Sequence, residues 1–211
     1  MHLLVIGASR GIGRAVVREA LKRGHRVRAF ARSAREMKPE PGLEPWTGDA
    51  LRPADVAAAL DGVDAVVHAL GVPKGLGFVT RPVTLFSAST RILVQEMQVA
   101  GVRRLLAVTG FGAGNSRPAL GRLLDLPFTA IMGRAYADKD RQERIIEESG
   151  LDWTIARPGF LTDSPTRGRY KVLLEPKDWR SGIVSRADVA HFLVGAAETG
   201  AYSHQAPVLI K

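Results

Sequence analysis

"LLVIGASRGIGRAVVREAL", residues 3–21, joins an uninterrupted apolar run to a glycine-rich turn and then to an amphipathic helical pattern. The apolar run has the length of a β-strand buried on both faces. Gly7, Gly11 and Gly13 follow within seven residues. Glycine there permits a tight turn and a close backbone approach, and the helix that follows offers unpaired N–H groups and the positive end of its dipole. That combination suits a pyrophosphate. Gly7, Ser9, Arg10, Gly11, Ile12 and Gly13 are therefore the candidate phosphate-binding turn of a dinucleotide site.

Working outward, strand-length apolar runs alternate with helix-period segments. "HLLVI", "VRAFA", "DAVVHAL", "RLLAVTG" and "DWTIARP" read as strands, with "EPWTGD" and "APVLI" as two more; helical patterns fall at 11–23, 53–60, 84–100, 134–149 and 186–198. The alternation predicts an α/β fold, a Rossmann-type doubly wound parallel sheet. With 211 residues, 45% of them hydrophobic, the chain is read as a single domain over 1–211 with small substrate-side elements toward its C-terminus. Three segments interrupt the pattern and are read as substrate-side loops: 71–83, 110–128 and 159–184. The first two leave the carboxyl ends of strands, where open α/β sheets bind ligands.

Composition narrows the chemistry. The chain has no cysteine and its five histidines are scattered, so no metal site is expected. The net charge is +9, and 23 of the 30 basic residues are arginine. These charges are spread without a basic run or interleaved aromatics, which argues against nucleic acid. "MHLLVIGASRG" lacks the order of a secretion signal, and no apolar run approaches the ~18 residues of a membrane span, so a cytoplasmic location with no membrane association is expected. An NAD-specific site would place an acid at the end of the second strand, roughly 20 residues past the glycines. That strand ends "FARSARE", with Arg32 and Ser33, and Arg10 adds a second guanidinium; these predict NADPH or NADP as cofactor.

The chain resembles the short-chain dehydrogenase/reductase superfamily, and more closely its atypical NAD(P)H-binding branch, which includes the biliverdin reductase B (flavin reductase)-like and NmrA-like proteins. The likeness rests on "GASRGIG", "GDALRPADV" (48–56), "GVDAVVHALG" (62–71), "KDRQERIIEESGLDWTIARPGFL" (139–161) and "IVSRADVAHFL" (183–193). The resemblance implies that Asp49, with Ala50 beside it, meets the adenine. Ala69, Leu70 and Gly71 would pass under the adenosine ribose. Thr109 and Gly110 would border the nicotinamide, and Pro158, Gly159 and Phe160 would close over its carboxamide side.

"RAYADKDRQE" (134–143) holds Tyr136 three residues before Lys139, where the family's proton-transfer pair is four apart. Three and four residues lie on opposite sides of one helical turn. Anchoring on Tyr136 would put Asp140 at the lysine position, where a carboxylate could not donate to the ribose hydroxyls, so the alignment on Lys139 is preferred: Lys139 is then the cofactor-ribose ligand, the tyrosine position is Ala135, and Tyr136 is read as a substrate-loop or core tyrosine. Thr109, Tyr136 and Lys139 are the candidate catalytic residues. Phe78 and Phe111 are candidate aromatic platforms for an acceptor, with Trp179 a further substrate candidate; His68 is read as a satisfied core or cofactor-adjacent histidine and not a catalyst. The function expected is NADPH-dependent hydride transfer to a small-molecule acceptor that is flat and conjugated, such as a flavin, quinone or linear tetrapyrrole. The alternative is a non-catalytic NADP(H)-binding redox sensor that acts through a protein partner, as NmrA-like proteins suggest.

Overall fold

The computed structural model describes residues 1–71, 83–120, 122–166 and 168–211, with the backbone alone for 122–131. Among these, ten strands occur: β1 (His2–Ile6), β2 (Arg26–Ala31), β3 (Leu43–Thr47), β4 (Ala65–His68), β5 (Arg104–Val108), β6 (Asp152–Pro158), β7 (Phe160–Thr162), β8 (Lys171–Leu173), β9 (Ile183–Ser185) and β10 (Val208–Ile210). The helices are α1 (Gly11–Lys22), α2 (Pro53–Ala59), α3 (Leu85–Ala100), α4 (Arg122–Glu147) and α5 (Arg186–Thr199). All seven strands read from the sequence are present.

The main sheet has the order β3-β2-β1-β4-β5-β6-β10-β8 and is parallel except for the final β10–β8 pair. Order reverses at β1, which lies between β2 and β4, so the loops after β1 and β4 diverge and leave a crevice at their carboxyl ends. Both faces are covered. Leu3 and Val5 of β1 pack with Val16, Val17 and Ala20 of α1 and with α5 residues such as Val189 and Leu193. Leu4 and Ile6 point the other way, toward Val56 of α2, Leu93 and Met97 of α3 and Ile146 of α4. This two-residue alternation explains why β1 is apolar throughout. β3, by contrast, is the edge, partly exposed and interrupted by Pro45, which cannot donate to a ladder.

Two glycines of the turn are required by close packing. Gly7 has φ +87°, and a Cβ there would lie 2.7 Å from the carbonyl oxygen of Ala69. A Cβ on Gly13 would collide with the Gly7 carbonyl oxygen, so Gly13 lets the first turn of α1 press against the strand exit. The start of α3 is secured from another element. Buried Asp138 of α4 accepts the N–H groups of Phe86 (2.8 Å) and Ser87 (3.3 Å), so a carboxylate satisfies orphan donors at the positive end of α3.

The segment 110–128, expected as one long loop, is mostly helical. A 3-10 helix spans Gly114–Leu120 and α4 begins at Arg122, well before the expected residue 134. Pro127 and Gly133, each unfavourable in a helix interior, hid a pattern that continues through both. The segment 159–184 contains β7, β8 and most of β9; β7 and β9 form a separate parallel two-stranded sheet.

Replacing Gly13 by Ala is expected to destabilise the protein by about 1–3 kcal/mol through overpacking, read from urea unfolding midpoints. An unchanged midpoint would contradict the packing role.

Candidate active site

The carboxyl ends of the strands around β1 open into a cleft of about 1000 Å³. Its near wall is the glycine turn. Arg10, the N-cap residue of α1, is extended (φ −155°) and supplies no side-chain acceptor; no acid lies in the first turn. The backbone N–H groups there and the helix dipole thus face the cleft beside Gly7, Ser9 and Gly11 with nothing negative among them. A Cβ on Gly11 would meet nothing within 4 Å, so this stretch has room for a ligand along its backbone. A pyrophosphate fits that surface.

Arg32 and Ser33, which follow β2, form the adjoining wall. Asp49 and Ala50 line the same end, where Asp49 Oδ1 also accepts the N–H of Leu51 at 3.0 Å. Ala69, Leu70 and Gly71 line the cleft beyond β4.

The far end is built on α4 and the exits of β5 and β6. Thr109, Gly110, Tyr136, Lys139, Pro158 and Gly159 all line it. A Cβ on Gly110 would lie 2.5 Å from Tyr136 Oη, so the tyrosine hydroxyl rests directly over that glycine. Lys139 Nζ donates to the carbonyl oxygen of Thr109 and lies 5.0 Å from the ring centre of Phe86 and 5.7 Å from that of Tyr136. Ala135 faces away, buried with Val83 and Phe86. Whatever the register with the family pair, it is Tyr136 that shares the cleft with Lys139.

Beneath this floor lies a buried ion pair. Arg157 Nη2 and Nε donate to Glu143 Oε2 (2.7 Å) and Oε1 (3.0 Å), with both side chains almost wholly buried. Thr109 Oγ1 donates to the same Glu143 Oε1 at 2.6 Å. The threonine proton is therefore committed to Glu143, and toward the cleft its hydroxyl can only accept.

Burial sets the proton affinities. Desolvation pulls Lys139 down to about 8, partly opposed by the Glu143 carboxylate. It pushes Tyr136 up to about 12, with Glu143 and Asp140 adding to the rise. At neutral pH Tyr136 carries its proton and suits the role of donor, not base. His68 is also buried, within 3.3 Å of Ser89 Oγ and Thr90 Oγ1 and 3.2 Å of Gln142 Nε2; burial, then the Lys139 charge, lowers it to about 4.

Several expected site residues are not brought to the cleft. Gly13 serves the packing of α1 on β1. Phe160 is more than half exposed (57%), but it is the next residue, Leu161, that lines the cleft, because strand neighbours alternate faces. Phe111 is buried with Leu120, Val208 and Ile210. Trp179 packs against that cluster, donates from Nε1 to the Leu173 carbonyl at 3.1 Å and lies 5.3 Å from the Arg157 guanidinium. Both aromatics belong to the packing around β8 and β10 and not to an acceptor platform. Phe78 and residues 72–82 lie outside the described residues. The sequence reading missed Leu85, Met132, Leu161 and Arg186, which also line the cleft. Among the described residues, no group of three His, Cys, Asp or Glu could hold a metal ion, and no helix is long and apolar enough to cross a membrane.

Comparison with known proteins bears on this geometry. A family model described as NAD(P)H-binding matches residues 7–199. The chain is 30% identical over 206 residues, covering 94% of it and 88% of the relative, to an uncharacterized sugar epimerase, YhfK, of Bacillus subtilis. It is 30% identical to an uncharacterized chloroplastic protein of Arabidopsis thaliana, over 92% of this chain and 71% of that one. Among solved structures, it is similar to ChuY, an anaerobilin reductase of Escherichia coli O157:H7, with a TM-score of 0.82 and 28% identity over 100% of this chain and 97% of the other.

The buried histidine gives the fold a pH signature. An unfolded chain takes up a proton on His68 near its ordinary 6.5, whereas the folded protein holds it off until about 4. Stability from this group is therefore complete above pH 6.5 and falls as pH drops toward 4, by on the order of 2–3 kcal/mol. Unfolding curves at pH 7 and 4.5 should show this extra loss in the native protein and not in His68→Asn; identical losses in both would contradict it.

Proposed function

This chain belongs to the NAD(P)H-binding family, and from that premise we propose that it is an NADPH-dependent reductase of a flat conjugated acceptor. The observation that carries the reading is the far end of the cleft, where the protonated Tyr136 hydroxyl and Lys139 stand together in a cleft that begins at the uncapped start of α1.

In this reading the N–H groups of Gly11 and Ile12 hold the pyrophosphate. Arg32, Ser33 and Arg10 receive the 2′-phosphate, since the end of β2 offers guanidinium groups where an NAD-specific site needs an acid. Asp49 and Ala50 border the adenine. Ala69 to Gly71 floor the ribose, and Lys139 reaches the second ribose while its contact with the Thr109 carbonyl fixes its amine. Thr109, Gly110, Pro158 and Gly159 frame the reacting end.

Bound NADPH would supply the hydride. The chain's part is to stack the acceptor beside Tyr136, exclude water and return a proton. Tyr136 Oη is the donor placed for this, and Lys139, next to it in the cleft, stabilises the phenolate left behind. With its own proton held by Glu143, Thr109 orients through acceptance alone.

The resemblance to ChuY, an anaerobilin reductase, supports an acceptor of the tetrapyrrole kind. The kinship with a relative named a sugar epimerase raises a different chemistry, in which an alcohol must first be deprotonated. A tyrosine raised to about 12 is protonated at neutral pH, so it starts as a proton carrier, as a reductase needs, and not as the base that step requires.

The test is NADPH oxidation by the purified protein with FMN and biliverdin, with NADH in parallel. Turnover is expected with NADPH and little with NADH. Arg32→Ala should weaken NADPH about tenfold more than NADH, as expected for loss of a charge-assisted phosphate contact. Equal weakening of both dinucleotides would displace the 2′-phosphate from β2, and absence of turnover with every acceptor would contradict the reductase.

A further inference from the structure

The cleft has a second arginine end that the proposed cofactor does not use. Arg186 lines it beside Leu161, yet the two are 25 residues apart in the chain. They meet because β7 and β9 pair in parallel, with Leu161 opposite Val184 and Thr162 opposite Ser185, so that Arg186 starts α5 at the rim. Its backbone is fixed by a reciprocal cap: Ser185 Oγ accepts the N–H of Asp188 at 2.9 Å and donates to the Asp188 carboxylate at 2.8 Å.

Arg186 therefore stands on the β6 side of the sheet, and Arg32 on the β2 side. In the strand order, β2 and β6 are separated by β1, β4 and β5. Four strand spacings amount to about 19 Å. The two arginines thus enter the cleft from opposite sides of the strand order. The proposed 2′-phosphate and pyrophosphate lie over β2 and α1, which leaves Arg186 facing the acceptor.

The guanidinium is already engaged. Arg186 Nη1 donates to Asp163 Oδ1 at 2.8 Å, with the arginine side chain 31% and the aspartate side chain 89% exposed. So exposed a pair contributes only about 0–1 kcal/mol. A ligand anion entering the cleft would be more shielded from water and could pair with the planar fork in two hydrogen bonds. Asp163 can swing into solvent at little cost, while Leu161 offers apolar surface to the ring that carries the anion.

Resting on the reductase reading of this cleft, we propose that Arg186 is an acceptor-side anchor for a carboxylate or phosphate at the edge of a flat acceptor, with Asp163 as its displaceable counter-ion. The enzyme would then select anionic conjugated acceptors over neutral ones of the same shape. Asp163 would hold the arginine only while the acceptor is absent.

The test is an equilibrium titration, followed by quenching of tryptophan fluorescence, of the protein with and without saturating NADP. Two pairs of probes are used: biliverdin against its dimethyl ester, and FMN against riboflavin. Arg186→Gln should weaken the anionic member of at least one pair by about tenfold and its neutral partner by less than about twofold; Arg186→Lys should restore most of the loss. Asp163→Asn should tighten the same anionic probe. A response confined to biliverdin marks a carboxylate site, and one confined to FMN a phosphate site. Equal losses for charged and neutral members, weaker anion binding in Asp163→Asn, or no binding of any probe would overturn the proposal. If the charge-dependent losses appear but NADPH is not oxidised, the anion site stands and the reductase reading alone fails.

Discussion

The buried pair of Glu143 and Arg157 is the constraint on which the site depends. Arg157 is among the largest fully buried side chains, and its guanidinium is held at both oxygens of Glu143. Such a pair is weak evidence for stability in itself, because desolvation consumes much of the attraction, but losing either partner strands a buried charge at a cost of about 3–5 kcal/mol. What the pair secures is register. It pins α4 to β6, and through Thr109 Oγ1 it pins the exit of β5 as well. Gly114 makes room for it, since a Cβ there would run into Glu143 Oε2. Tyr136 lies seven residues before Glu143, about two helical turns, so fixing Glu143 fixes the face on which Tyr136 and Lys139 meet the cleft.

The same carboxylate shapes the chemistry above it. Lys139 is pulled toward its neutral form by burial and held charged by Glu143; Tyr136 is kept protonated by burial and by the negative groups around it. Thr109, Tyr136 and Lys139 thus have different roles: an acceptor with its proton committed, a phenol that keeps its proton, and a cation that can steady the phenolate. A cleft so arranged starts with its proton on Tyr136, and the proposed reduction draws on that proton. The two arginine ends, Arg32 beyond β2 and Arg186 beyond β9, extend the division of labour: one faces the proposed cofactor, the other the proposed acceptor.

Much of this was legible from local pattern. The glycine turn, seven strands, the parallel order and most of the cleft lining follow from residues whose roles are set by their immediate neighbours: Gly7 by its turn, Arg32 by the end of β2, Lys139 by its helix. The failures share a cause in long-range contact. Phe111 sits in a glycine-rich segment and reads as a loop aromatic, but β10, nearly one hundred residues later, covers it. Phe160 and Leu161 differ by one position in a strand, and only the pairing of β7 with β9 decides which faces the cleft. Arg186 comes to the rim only through that same pairing, which no local pattern announces. Glu143 and Arg157 drew no reading, since nothing local in the sequence announces that both are buried. Pro127 and Gly133 concealed the first turns of α4.

The most direct test of the account is a crystal structure of the protein with NADP bound. The account predicts the pyrophosphate on the N–H groups at the start of α1, the 2′-phosphate against Arg32, and the nicotinamide between Thr109 and Tyr136, with Arg186 clear of the dinucleotide. A dinucleotide lying in the opposite sense, or one whose phosphate takes Arg186, would contradict it.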